Sequence, residues 1–459
     1  MFTASSTFVT RSVKSPASLA ALQRCNPSRY PCLLESVAHG TPQGRHDILF
    51  AFPGQRLILN ADGNCTDDDG TPLGTDFLFA LDQYWNASRV PNVPRTGMPP
   101  FRGGWFLYLG YELAGQIETR LNLPAGSALP IAWATRIPAA AIWDHAAGTL
   151  TLVAETGQNE LLDAMESDLH DAHIAGPALT ALLASSLHEE EPVRYLEAVN
   201  RARRYILDGD IFQANLSRRW HGEINAGVAP ADIYQRLRHS NPSPFAGLAL
   251  HNDAAIISSS PERLVAVRNG RIEARPIAGT RPRHADAVQD AALIRELIGH
   301  PKERAEHVML LDLERNDLGR IARTGSVRVD ELMVIESYAH VHHIVSNVCA
   351  QLRKGVTPGE VIRAVFPGGT ITGCPKVRCM EIIAELEQTP REAYTGSMGY
   401  LNRDGDMDLN ILIRTLVQKG NALEFRAGAG IVADSIPERE LDETRAKARG
   451  MARALGVQL

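Results

Sequence analysis

The sequence predicts an α+β fold. Strand-like and helical runs alternate without a regular βαβ beat, and neither a GxGxxG nor a Walker loop is present. The third support is size: 459 residues, 44% of them hydrophobic, give ample chain for a large buried core.

Near the start, Thr7 to Val13 reads as a strand and Ser18 to Arg24 as a helix. The first 34 residues lack acids and carry Arg11, Lys14, Arg24 and Arg29, a composition shared with transit peptides. The strand–helix reading accounts for them more simply. Asp47 to Phe52 and Thr149 to Glu155 follow as strands, in a part rich in Gly, Pro and aromatics. Residues 1–155 are therefore taken as an N-terminal part. Residues 156–192 are Ala-, Leu- and acid-rich, include Gly176-Pro177, and read as a linker. Residues 193–459 form the remainder, opening with a helix from Val193 to Leu207 that Asp208-Gly209-Asp210 ends. Strands are expected at Ala254 to Ser259, Leu264 to Arg268 and Arg271 to Ala274. Helices are expected at Asp290 to Ile298, Lys302 to Leu313, Lys376 to Leu386 and Pro437 to Leu455.

Charge and composition narrow the function. With 47 Lys plus Arg against 53 Asp plus Glu, the net charge of −6 gives no support to nucleic-acid or basic membrane-surface binding. No apolar run reaches the length of a transmembrane helix. Six scattered cysteines form no CxxC and no disulfide frame, so a reducing cytoplasm is the expected compartment.

Five features could carry chemistry. Glu303 and Glu306 share one helix face, as do Glu440 and Glu443, with Lys447 a turn further on. Facing carboxylate pairs suit Mg²⁺, which takes oxygen ligands; an isolated ExxE is more often a solvated helix face, and Glu443 with Lys447 an ordinary ion pair. The run Phe366-Pro367-Gly368-Gly369-Thr370-Ile371-Thr372-Gly373-Cys374-Pro375-Lys376 precedes a helix, so its N–H groups could receive an anion or simply make a tight loop. Gly428-Ala429-Gly430 on a strand lets a ligand or another backbone approach closely. Glu262, after Ser260-Pro261, is a general acid if burial raises its pKa, or a turn residue. His342 and His343 face opposite ways on a strand, so only one can line a given site. Arg414 adds a carboxylate fork. Together these residues suit a small polycarboxylate substrate.

Those motifs, in that order, resemble the chorismate-utilising enzymes: Ser260-Pro261-Glu262, Pro276-Ile277-Ala278-Gly279-Thr280, the ExxE helix running into Asp312-Leu313-Glu314-Arg315-Asn316-Asp317, the glycine loop, Gly428 to Asp434 and the second ExxE. Leu33-Leu34-Glu35-Ser36 and Phe101-Arg102-Gly103-Gly104 extend the resemblance to the N-terminal part of the aminating members. The resemblance implies two β-sheets packed orthogonally and flanked by helices. It implies Mg²⁺ held by Glu306 and Glu443 and supported by Glu303 and Glu440. It places the carboxylates of chorismate on Gly428, Ala429, Gly430, Tyr400 and Arg414, with Gly279 and Thr280 also at the substrate. Lys447 adds positive charge, Glu262 protonates the departing C4 hydroxyl, and His343 lines that pocket.

Members that use water carry a lysine base where this chain has Gln213, so Gln213 points to ammonia as nucleophile, which needs no deprotonation. Gln213-Ala214-Asn215-Leu216, Val341-His342-His343 and the glycine loop resemble the arm that aminates C4 and keeps the enolpyruvyl group, forming aminodeoxychorismate on the route to 4-aminobenzoate and folate. The other arm forms anthranilate; a non-catalytic binding subunit is a third reading. Some C4-aminating members have a lysine at the position of Ala278. No glutaminase region is evident, and Cys374 reads as a packing residue, so a separate glutamine amidotransferase is the expected ammonia source. Ser36, Pro242, Pro244 and Phe245 match motifs of a tryptophan pocket in related N-terminal parts.

Overall fold

A computed structural model describes residues 7–14, 18–38, 44–92, 97–171, 181–338 and 341–459. Two twelve-stranded antiparallel sheets, flanked by eleven α-helices among the described residues, make up the fold. This is the α+β class that the sequence predicts.

In the first sheet the strand order begins Phe8–Val13, Thr149–Glu155, Ala139–Asp144, His46–Ala51, Cys32–Glu35. It continues Phe245–His251, Ala254–Ser260, Thr415–Lys419, Ala422–Ile431, Gln213–Glu223, His188–Glu189. The second sheet runs Ile277–Pro282, Val341–Gln351, Arg271–Ala274, Arg263–Arg268, Met407–Asn410, Ser397–Asn402. It ends in Gly104–Leu109, Ala132–Ile137, Arg56–Leu59, Cys65–Thr66, Pro72–Gly74. The twelfth strand of each sheet lies off these paths: Gly373–Cys374 pairs with Gln213–Glu223, and Arg328–Ser337 with Val341–Gln351. The N-terminal part and the remainder therefore each contribute a block to both sheets. Leu33 pairs with Leu248 at one junction, and Phe106 with Tyr400 at the other. Residues 156–192 supply the helix Asn159–Asp171 and the edge strand His188–Glu189; Gly176-Pro177 lies outside the described residues.

Alternation along the strands builds the layers. Phe50, Phe106, Tyr108, Met398 and Tyr400 point between the sheets, into a core shared with Ile142 and Ile256. Their neighbours turn outward: Leu49 and Ala51 towards one helical layer, Leu107 and Leu109 towards the other. Most segments expected from the sequence appear nearly as read. Ser18 caps Leu19–Cys25, accepting from the N–H of Ala21 at 3.1 Å. The helix expected at Lys302 to Leu313 runs further, Pro301–Gly319.

The last helix, Pro437–Ala454, buries Leu441, Thr444, Ala448 and Met451 against the Ala422–Ile431 strand. That stripe turns Glu440, Glu443 and Lys447 onto the adjacent face.

Candidate active site

Two crossings between the sheets define the site. Glu262 lies where the chain leaves Ala254–Ser260 in the first sheet for Arg263–Arg268 in the second. Arg414 lies where it returns from Met407–Asn410 to Thr415–Lys419. The crossings bind each other: the N–H of Ile411 donates to Glu262 O at 3.0 Å, and that of Ser259 to Arg414 O at 3.1 Å. Arg414 has φ +53°, a strained conformation for a side chain of that size.

The Glu262 carboxyl is 6% exposed, and its Oε1 has no hydrogen-bond partner among the described residues. Burial pushes its pKa up to about 7, while Thr370, the N–H of Ile277, Arg414 and Lys447 pull it back. Thr370, from the glycine loop, likewise has an orphaned buried Oγ1. The Arg414 guanidinium makes no ion pair or hydrogen bond among the described residues, and burial lowers its pKa against the opposing charge of Glu262. An unpaired, half-buried guanidinium facing a carboxyl whose ionisation is held back can receive an external carboxylate.

His343 and Thr280 close one side. They face each other across paired strands, with Thr280 Oγ1 2.9 Å from His343 Nδ1. Burial, then the charge of Arg414, lowers His343 to about 4, so its imidazole is neutral at pH 7. His342 points the other way, to Asp290 at 2.9 Å and Ser337 at 2.7 Å. Gly279 has φ +64°, and a Cβ there would come within 2.8 Å of Glu303 Oε2.

The floor is the strand holding Gly428, Ala429 and Gly430, paired with that of Gln213 and Asn215. A Cβ on Gly428 would approach Leu216 O and the Tyr394 hydroxyl to 2.6 Å. Gly430 leaves room for the Gln213 carboxamide in the same way. Lys447 donates to Gly428 O at 3.0 Å and pairs with Glu443 at 2.8 Å. The glycine loop closes over this floor, Thr372 O accepting from the N–H of Asn215 at 2.9 Å. Behind it, Arg391 stacks on Tyr394, 5.5 Å from the ring centroid.

The four ExxE carboxylates lie on two helices, Glu303 and Glu306 on one, Glu440 and Glu443 on the other. Glu303 is paired with Arg281 at 3.2 Å. Their oxygen chemistry fits Mg²⁺, which binds one or two carboxylates and takes further ligands from water and substrate. Among the described residues no three His, Cys, Asp or Glu side chains converge into a full cage.

Tyr400 does not join this group. Its ring packs against Phe50 and Phe101, at 6.4 and 5.9 Å, in the core between the sheets. The tyrosine at the glycine floor is Tyr394, which the sequence reading missed. A signal was present: Tyr394 precedes Gly396 in a turn after Pro390, whereas Tyr400 lies within an apolar strand. Asn215 and Thr370, each inside a sequence motif, also border the site, at Gly428 and at Glu262. Cys374 is half-buried and burial raises its thiol pKa, which agrees with packing rather than nucleophilic chemistry. The tryptophan-pocket motifs do meet: Ser36 Oγ donates to Pro244 O at 3.2 Å, and the N–H groups of Val37 and Ala38 donate to Ser243 O. Pro242 is half-buried beside them, and Phe245 lies under Arg263, 5.0 Å from its ring centroid.

A sequence profile described as chorismate binding enzyme matches residues 37–453. The aminodeoxychorismate synthase component 1 of Bacillus subtilis is 43% identical over 370 residues, 78% of this chain and 78% of that protein. The anthranilate synthase component 1 of Pseudomonas putida is 38% identical over 469 residues, covering 96% and 93%. The crystal structure of anthranilate synthase component I from Streptococcus pneumoniae superposes with a TM-score of 0.79 at 33% identity, covering 90% of this chain and 93% of that one.

Proposed function

The chain belongs to the chorismate binding enzyme family, and from that premise we propose that it aminates chorismate at C4, as the aminodeoxychorismate synthase component I of a route to 4-aminobenzoate and folate. The observation that carries amination is Gln213. A neutral carboxamide stands on the glycine floor, where deprotonating water would need a base. Ammonia needs none. The C4 arm is supported by Asn215 beside Gln213, by Val341-His342-His343, and by the glycine loop.

In this reading the chain's residues divide the work. Arg414, Tyr394 and the N–H groups of Gly428 to Gly430 hold carboxylates, and Lys447 adds charge. Glu262, largely protonated below pH 7, gives its proton to the departing C4 hydroxyl. Neutral His343, held by Thr280, lines the leaving-group side. Glu306 and Glu443, supported by Glu303 and Glu440, would hold Mg²⁺, which supplies positive charge to the ring carboxylate. A glutamine amidotransferase would deliver the ammonia, in keeping with the designation component 1 of the relatives. The Ser36–Pro244 junction is proposed as a tryptophan pocket. No helix among the described residues is long and apolar enough to cross a membrane; a cytoplasmic location is part of this proposal.

Ala278 favours a second reading, anthranilate formation. It lies in the Ile277–Pro282 strand, paired with Ile344, and has no amine to form an adduct with the substrate. A product assay separates the two. The protein is incubated with chorismate, Mg²⁺ and ammonium at alkaline pH and the product weighed by mass spectrometry. An aminated product retaining the enolpyruvyl group, convertible by a lyase to 4-aminobenzoate, is expected. Anthranilate with free pyruvate would overturn the C4 assignment.

A further inference from the structure

We infer that the carboxamides of Gln213 and Asn215 form the seat of the nitrogen nucleophile, holding ammonia through two N–H···O hydrogen bonds. This deepens the amination reading above and rests on it.

The two residues are alternate positions on one strand, so their side chains share a face. Gln213 is 8% exposed, and its Oε1 has no hydrogen-bond partner among the described residues. The same is true of Asn215 Oδ1, which is sealed from solvent. Buried acceptors without donors are rare in native structures, and two on one strand face ask for a donor that the chain does not supply. The opposite strand leaves them room. Gly430 is paired with Asn215, and a Cβ on it would run into the Gln213 carboxamide. A Cβ on Gly428 would come within 2.8 Å of Asn215 Oδ1. Asn215 Oδ1 thus borders the same floor as the Tyr394 hydroxyl, and the Gln213 carboxamide reaches that floor at Gly430. They also connect to the acid. Thr372, bonded to the N–H of Asn215, is two residues from Thr370, which stands beside Glu262.

Neutral amide oxygens suit this ligand. A carboxylate in their place would favour the ammonium ion, whose nitrogen has no lone pair to give. Two amide oxygens accept two N–H bonds from ammonia and leave its lone pair free. The step then balances. A C–N bond forms as the C–O bond to the hydroxyl breaks, and Glu262 protonates that hydroxyl, which leaves as water. The new ammonium group returns a proton to the Glu262 carboxylate, so ammonia has replaced hydroxide and the acid is restored.

The test is steady-state kinetics of the full chain with free ammonium, alongside the chorismate dissociation constant measured without ammonium. In Asn215→Ala and Gln213→Ala the KM for ammonium should rise about tenfold each, the size expected for one lost hydrogen bond. Chorismate binding should stay within about twofold, which also shows that each variant folds. Asn215→Asp should move ammonium use to higher pH, because a carboxylate holds the ion. Amination with an unchanged ammonium KM in both alanine variants would overturn this inference alone. Failure of the unaltered protein to yield any aminated product would overturn it together with the amination reading.

Discussion

Arg391 donates to Glu387 at 2.6 Å inside the protein, with both side chains almost wholly buried. Burial alone would raise Glu387, yet Arg391 and Arg426 hold it below its ordinary carboxylate range. The pair ties the site together from behind. Arg391 also donates to Asn215 O at 2.7 Å and Ile371 O at 3.3 Å, and Glu387 accepts from the N–H of Ser217 at 2.8 Å. One guanidinium therefore fixes the Gln213–Glu223 strand, the glycine loop and, by stacking, Tyr394. Arg391→Met would leave a buried carboxylate with only part of its compensation. The expected loss is about 3 to 5 kcal/mol of stability, read from urea unfolding. A loss under about 1 kcal/mol would show that the pair does not hold these elements.

The raised pKa of Glu262 fixes the sign of two pH effects. Its carboxyl moves from an ordinary 4.5 to about 7, so the folded state favours the protonated form. The acid is present below about pH 7 and lost above it. The rate at saturating chorismate, expressed per concentration of free ammonia, should therefore fall as pH rises through about 7. Glu262→Gln should lower that rate by at least about a hundredfold while chorismate binding changes little. Stability runs the same way. Ionising the buried carboxyl is unfavourable, so wild-type stability declines between about pH 4.5 and 7, and the glutamine variant should be more stable above pH 7 by roughly 3 kcal/mol. Equal losses of turnover and binding in Glu262→Gln would make Glu262 a structural turn residue.

Gly428→Ala should abolish turnover. Its Cβ would meet Leu216 O at 2.6 Å, a backbone atom of the paired strand that cannot rotate away. The same Cβ would displace the Tyr394 hydroxyl. We expect an activity loss of about a hundredfold or more and a stability loss of roughly 1 to 3 kcal/mol, as for other overpacked positions. Near-normal kcat/KM would mean that substrate does not lie on this floor.

The elements were legible in the sequence because each follows a local rule. The Leu441, Thr444, Ala448, Met451 stripe repeats at helical spacing, and the outward–inward alternation of Leu49, Phe50 and Ala51 marks a strand between two apolar layers. Pairing obeys no local rule. Nothing in the run around Leu33 announces Leu248 as its neighbour, and that pairing together with Phe106 to Tyr400 makes residues 1–155 part of both sheets rather than a sheet of their own. Glu262 and Arg414 were each legible as candidates, but their meeting depends on two sheet crossings that hydrogen-bond one another. Tyr400 was misplaced for a related reason. Two tyrosines six residues apart, each close to a glycine, look alike until one is seen in a strand facing Phe50 and Phe101 and the other in a turn against Gly428.

The ExxE pairs carry the last prediction, that turnover depends on a divalent cation through Glu306 and Glu443. Glu443 is paired with Lys447 and is about half exposed, so a cation must compete with an ion pair of modest strength. Such a site would bind Mg²⁺ weakly on its own and would gain ligands only when substrate oxygens arrive. Chelator should therefore stop turnover without lowering the unfolding temperature of the free protein. Added Mg²⁺ should stabilise the protein more in the presence of chorismate than in its absence. Glu306→Gln should raise the Mg²⁺ concentration needed for half-maximal rate by at least about tenfold, since it removes one charged oxygen donor from a small set. An unchanged Mg²⁺ dependence in that variant would remove Glu306 from the coordination shell and leave the first ExxE as a helix face paired to Arg281 through Glu303.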